Sequence, residues 1–115
     1  MITLYGIKNC ETMKKAFAWL DEHGVEYVFH DYKKAGVDAP RLKQWVKHMG
    51  WKTLLNVKGT TWRKLTPEQQ ADMTQAKAVA LMVEYPSLIK RPVVETGQQL
   101  LVGFDPAMFA SFIPR

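Results

Sequence analysis

The chain holds a single cysteine, Cys10, and its neighbours decide what that thiol can do. Ile2-Thr3-Leu4-Tyr5 reads as a buried strand, Gly6 to Asn9 as a short approach, and from Cys10 onward apolar residues recur at helical spacing. A thiol at that junction faces unpaired backbone N–H groups and the positive end of a helix dipole, both of which favour thiolate over thiol. Lys8, Lys14 and Lys15 add positive charge nearby. Inert structural cysteines lie inside strands or on apolar helix faces, so this placement reads as a nucleophile or redox centre. The alternative is a small capping residue with no chemistry. Asn9 is a candidate helix cap or hydrogen-bond donor to the sulfur, Lys8 a cation that tunes the thiolate or binds a carboxylate, and Thr12 a first-turn hydroxyl within reach of the sulfur. His23, His30 and His48 are scattered, so no metal site is expected.

The elements that must position these residues follow from periodicity. Met13, Phe17 and Leu20 share one helical face, and Gly24 can close that helix in the left-handed conformation. Val25 to Tyr32 then reads as a second strand, making a βαβ unit with a parallel pair and a right-handed crossover. Asp38 and Pro40 begin a helix packed through Leu42, Trp45, Val46 and Met49 and ended by Gly50. Thr66-Pro67-Glu68-Gln69 is a capping box, and Thr74 starts a helix packed through Val79, Met82 and Val83 that stops near Pro86. Pro92 to Glu95 and Gln99 to Val102 read as a hairpin about Thr96-Gly97, and Asp105-Pro106 opens a last helix through Met108, Phe109 and Phe112. The order predicts an α/β, thioredoxin-like fold. Its mixed four-stranded sheet is built from β-α-β and β-β-α halves, with a helical insert at about 38–86 inside a single domain spanning 1–115. Cys10 then lies at the carboxyl end of the first parallel strand, where α/β sheets place ligands.

Bulk properties narrow the function classes. At 115 residues and 47% hydrophobic, the chain can bury a core without staples. One cysteine cannot form an internal disulfide, and no apolar run approaches the ~20 residues that span a bilayer. With no basic segment followed by an apolar one at the start, a cytoplasmic protein is expected. The net charge of +5 is spread along the chain without a basic block or aromatic-basic motif. It suits anionic small molecules such as glutathione or an oxyanion better than nucleic acid.

The short strand, the Gly-x-x-x-Cys approach, Leu54-Leu55-Asn56 after a helix, and Ile89-Lys90-Arg91-Pro92-Val93-Val94 together resemble the arsenate reductase (ArsC) family, which includes the Spx transcriptional regulators. The likeness runs from Met1 to about Phe112 and is nearest to the small members of that family. It implies a cis-proline at Pro92, whose backbone edge pairs with a bound thiol substrate, and an oxyanion-binding arginine at Arg91. A guanidinium there would stabilise a thiolate and offer a forked donor to an anion.

The departures from the family pattern bear on substrate. The arginine that follows the Leu-Leu pair is replaced by Asn56, and the one at the end of the fourth strand is replaced at about Gly103. An arsenate site of three arginines would keep one. Three residues beyond Cys10 stands Met13, so any mixed disulfide awaits an external thiol, glutathione or a glutaredoxin. The resulting expectation is a glutathione-dependent thiol–disulfide oxidoreductase using Cys10 and Arg91, with Lys8, Asn9, Thr12, Asn56 and Pro92 at the substrate or glutathione site. No bound cofactor is expected, and glutathione serves as co-substrate. The alternatives are an Spx-like regulator that binds RNA polymerase and a glutaredoxin-coupled arsenate reductase.

Overall fold

The computed structural model describes residues 2–97 and 99–113. Its elements fall into two compact units, Met1–Ala35 with Arg91–Arg115, and Gly36–Lys90.

The first unit is a thioredoxin-like α/β arrangement. Strand β1 (Ile2–Gly6) leads into helix α1 (Glu11–Glu22), strand β2 (Tyr27–Asp31) and the single-turn helix α2 (Tyr32–Ala35). The chain returns to this unit for strands β3 (Val93–Glu95) and β4 (Leu100–Val102) and helix α8 (Pro106–Phe112). The sheet order is β2-β1-β3-β4. β1 runs parallel to β2, with Leu4 opposite Phe29, and antiparallel to β3, with Leu4 opposite Val94. Alternation along β1 sends Ile2 and Leu4 to one face, where they meet Met13, Ala16, Trp19 and Leu20 of α1 and Phe109 of α8. Trp19 and Phe104 each set an edge against Phe109, with ring centroids 5.4 and 4.9 Å away.

Two sequence expectations for this unit shift in detail. The second strand is shorter than Val25–Tyr32 at both ends. Gly24 takes a positive φ of 65° and the Val25 N–H bonds back to the Leu20 carbonyl at 2.9 Å, so Val25 belongs to the helix ending. At the other end the Asp31 carboxylate accepts from the Lys33 N–H at 3.0 Å, which turns the chain into α2 at Tyr32. In α8 the expected Phe112 is 45% exposed, and Ile113 fills the core instead. Capping of the Ala107 N–H by Asp105 fixes the helix phase, and the extended backbone at Ile113 swings that side chain inward.

The second unit is helical. It comprises α3 (Ala39–Met49), α4 (Trp51–Leu54), α5 (Thr60–Arg63), α6 (Pro67–Gln70), α7 (Gln75–Glu84) and a 3-10 turn at Pro86–Leu88. The caps read from sequence form. Asp38 accepts from the Arg41 N–H at 2.8 Å, Thr66 and Gln69 close a reciprocal box, and Thr74 accepts from the Lys77 N–H. α3 buries Leu42, Trp45 and Val46, and α7 buries Ala78, Val79, Leu81 and Met82. Val83, expected inside, is 38% exposed because Leu81 takes the inward position of that turn. An antiparallel bridge between Leu55 and Ile89, with the Lys90 N–H on the Leu54 carbonyl at 2.8 Å, ties the segment after α4 to the end of the unit. Among the described residues no helix is long and apolar enough to cross a membrane.

Candidate active site

Cys10 occupies the N-cap of α1, with extended backbone (φ −145°, ψ 132°) and its carbonyl accepting the Lys14 N–H at 2.9 Å. The cap position expected for Asn9 therefore falls to the cysteine itself. No side-chain hydrogen bond of ordinary capping geometry joins the sulfur to the first turn, so the amides act on it chiefly as aimed dipoles. The sulfur is half-buried, and that burial by itself pushes the thiol pKa up. The Met13 N–H, the Arg91 guanidinium and the Thr12 N–H pull the other way and win, leaving the thiol below its ordinary value. Thr12 thus acts through its backbone. Its exposed side chain is not among the groups that shift the sulfur.

Arg91 is the second member of the cluster. Its burial disfavours the charge, but hydrogen bonds to Cys10 and then to Tyr32 raise its pKa above the ordinary guanidinium value. The Arg91–Pro92 peptide bond is cis, and the Pro92 carbonyl accepts the Gly103 N–H at 2.8 Å.

Tyr32 completes the cluster and escaped sequence reasoning, which read it as the last residue of a strand. It is fully buried, and desolvation pushes its hydroxyl up to about 12 despite the opposing pull of Arg91. At neutral pH it is an uncharged phenol that accepts from the guanidinium, holding the fork while the fork meets the sulfur. The available signal was Asp31: an Asp followed by Tyr-Lys-Lys-Ala is a helix-capping pattern that would have ended the strand one residue sooner.

The glycine of the approach has a packing role. A Cβ on Gly6 would run into the Sδ and Cε of Met13, a fully buried residue in the first turn of α1. The missing side chain lets Met13 settle against β1, and Met13 carries one of the amides aimed at the sulfur.

The remaining expected residues lie elsewhere. Lys8 is exposed and lines a cleft with Phe17, Tyr27, Phe29, Asp31 and Lys34, and it is not among the groups that set the sulfur's charge. Asn9 is exposed on the approach loop. Lys14, counted from sequence as a cation near the thiol, is paired with Glu11 at 3.6 Å, which offsets its charge. Asn56 belongs to the helical unit, where its side-chain oxygen accepts the Lys58 N–H at 3.0 Å in a local turn. Gly103 adopts φ 85°, a left-handed conformation that an arginine would take only under strain. Among the described residues no three His, Cys, Asp or Glu side chains gather as metal ligands.

A mixed sheet in the order β2-β1-β3-β4, with a cysteine capping α1 and a cis-proline before β3, defines a thioredoxin-like protein. A model of the ArsC family matches residues 5–112, and the chain belongs to that family, with an arsenate reductase-like thiol oxidoreductase fold. The solved structure of a YffB protein is 54% identical, covers 99% of this chain and 100% of its own, and superposes with a TM-score of 0.96. An arsenate reductase (ArsC) related protein from Brucella melitensis is 50% identical over 96% of this chain and 92% of its own, with a TM-score of 0.77. The global transcriptional regulator Spx of Streptococcus pneumoniae is 26% identical over 100% of this chain and 87% of its own length.

Proposed function

We propose that this protein is a glutathione-dependent thiol–disulfide oxidoreductase that works through one cysteine. In the first step the Cys10 thiolate attacks a sulfur of an oxidised substrate, R–S–S–G. A Cys10–glutathione disulfide forms as the original S–S bond breaks, and the released R–S⁻ takes a proton from solvent. A glutathione thiolate then attacks the glutathione sulfur of that adduct, returning Cys10 as thiolate and leaving oxidised glutathione. The substrate thiol is reduced and two glutathione units are joined. Arg91 offsets negative charge on whichever sulfur carries it, and the backbone at Pro92 offers the edge beside which the substrate lies.

The observation that carries this reading is the partly exposed Cys10 sulfur held below its ordinary pKa by two amides and a guanidinium. Met13 stands where a thioredoxin-type resolving cysteine would be, which favours an external thiol as reductant, either glutathione or a glutaredoxin. The test is turnover of a glutathionylated substrate with glutathione, coupled to glutathione reductase, alongside the pH profile of Cys10 alkylation by iodoacetamide. Turnover that disappears in Cys10→Ser, with alkylation proceeding at neutral pH, is expected. A Cys10 inert to iodoacetamide at neutral pH in the folded protein overturns the proposal.

The likeness to Spx along the whole chain favours a second reading, a regulator that binds RNA polymerase. Stable capture of RNA polymerase by the Cys10→Ser protein would select it. Arsenate as substrate is disfavoured by the residues at the two replaced arginine positions, since a tetrahedral anion needs several converging donors.

A further inference from the structure

Beside the Cys10 turn, the sheet-bearing unit holds a cleft of about 410 Å³ lined by Lys8, Phe17, Tyr27, Phe29, Asp31 and Lys34. Its floor is aromatic. Phe17 stacks on Tyr27 with centroids 5.8 Å apart and 17° between planes, and meets Phe29 edge-on at 5.1 Å. The charge around it is net positive. Asp31 turns its carboxylate oxygen to the Lys33 and Lys34 backbone N–H groups at 3.0 and 3.4 Å, whereas the Lys8 and Lys34 ammonium groups make no ion pair among the described residues. An aromatic floor beneath two ammonium groups suits a ligand that is both apolar and anionic.

The position of the cleft says more about that ligand. Cys10 caps α1 and Phe17 lies seven residues on, in its second turn, and both pack against the same core cluster. Seven residues correspond to about 10 Å along a helix. An extended polypeptide covers about 3.3 Å per residue, so a group some three residues from the attacked sulfur reaches the aromatic floor. β2, which supplies Tyr27, Phe29 and Asp31, is the edge strand of the sheet, the position at which an extended chain adds alongside in strand-type recognition.

We propose that this cleft is a recognition subsite for polypeptide disulfides, taking an acidic residue and an adjacent aromatic side chain about three positions from the cysteine that reacts. The inference rests on the thiol–disulfide reading above and names its substrate class. Lys8 and Lys34 receive the carboxylate, while Phe17, Tyr27 and Phe29 receive the ring.

Two glutathionylated peptides test it, one with Glu-Phe three residues from its cysteine and one with Lys-Ser there. The acidic-aromatic peptide is expected to show kcat/KM about tenfold higher, a preference that falls to about twofold in Lys34→Glu. Equal kcat/KM for the two peptides overturns the cleft while leaving the oxidoreductase reading intact. The same peptides with serine for cysteine, titrated onto the full protein by calorimetry, give a second readout. Tighter binding of the acidic-aromatic peptide supports the subsite even if neither disulfide is turned over, an outcome that would instead defeat the oxidoreductase reading. Equal binding of both peptides counts against it.

Discussion

The two units of this chain use the same local devices for different ends. In the helical unit, Asp38, Thr66 and Thr74 cap α3, α6 and α7 with side-chain oxygens, each accepting a first-turn backbone N–H. In the sheet-bearing unit the corresponding place at the head of α1 is held by a sulfur that makes no ordinary capping bond. The same unpaired amides that stabilise a helix when met by oxygen become, when left facing a thiol, a means of ionising it. A poor cap can be a good nucleophile.

Substitutions at the two kinds of helix head separate their roles. Cys10→Ser should abolish disulfide turnover while leaving the far-ultraviolet circular dichroism spectrum unchanged, since serine is the better cap. Arg91→Ala should lower kcat/KM tenfold or more, by loss of a charge-assisted hydrogen bond to the sulfur. It should also shift the alkylation midpoint of Cys10 to higher pH, because a cation that favours the thiolate is gone. Thiolate linkage has a definite sign here. A thiol depressed in the folded state contributes stability that is complete above its ordinary value of 9.0 and is lost as pH falls through the folded value. Urea titrations of native protein against Arg91→Ala across that range should show the pH dependence shrink.

Smaller effects follow. Gly6→Val should cost about 1–3 kcal/mol by driving Met13 off β1, and should slow Cys10 alkylation because Met13's amide moves with its side chain. Tyr32→Phe tests the partner of the guanidinium. Because burial raises the hydroxyl from 10.0 to about 12, the native protein should lose on the order of 3 kcal/mol of stability as pH rises through those values, and the variant should not. The smallest change belongs to the helical unit. Thr66→Ala removes one half of the capping box and should cost about 1 kcal/mol in denaturant unfolding with no change in the Cys10 alkylation profile. A shifted profile in Thr66→Ala would blur the distinction between the units.

Much of the fold was legible because its signals are local. Ile2 to Tyr5 against the 3.6-residue period that follows, Gly24 and Gly50 after helices, and the caps at Asp38, Thr66, Thr74 and Asp105 each depend on a few neighbouring residues. The errors came where packing chose between local options. Ile113 and Phe112 compete for one core position, Leu81 and Val83 for another, and no periodicity ranks them. The thiol was legible from strand-end position alone, and Arg91 with Pro92 from resemblance. Tyr32 was not, because its role comes from lying within reach of an arginine 59 positions later in the chain, and alternation along β2 carries no trace of that. Lys8 was legible as a cation, but not which of its two expected tasks, tuning the thiolate or binding a carboxylate, it faces, since sequence proximity does not say which way a side chain points.

Met13 packs into the hollow of Gly6 at the position where a second thiol would make a self-contained dithiol switch. Installing that thiol would empty the space behind it and loosen the turn whose amides pull Cys10 below its ordinary pKa. On the proposed mechanism the chain is therefore held to a monothiol design. On that proposal the oxidised form lasts until an external thiol reaches it, and its lifetime tracks the concentration of that thiol.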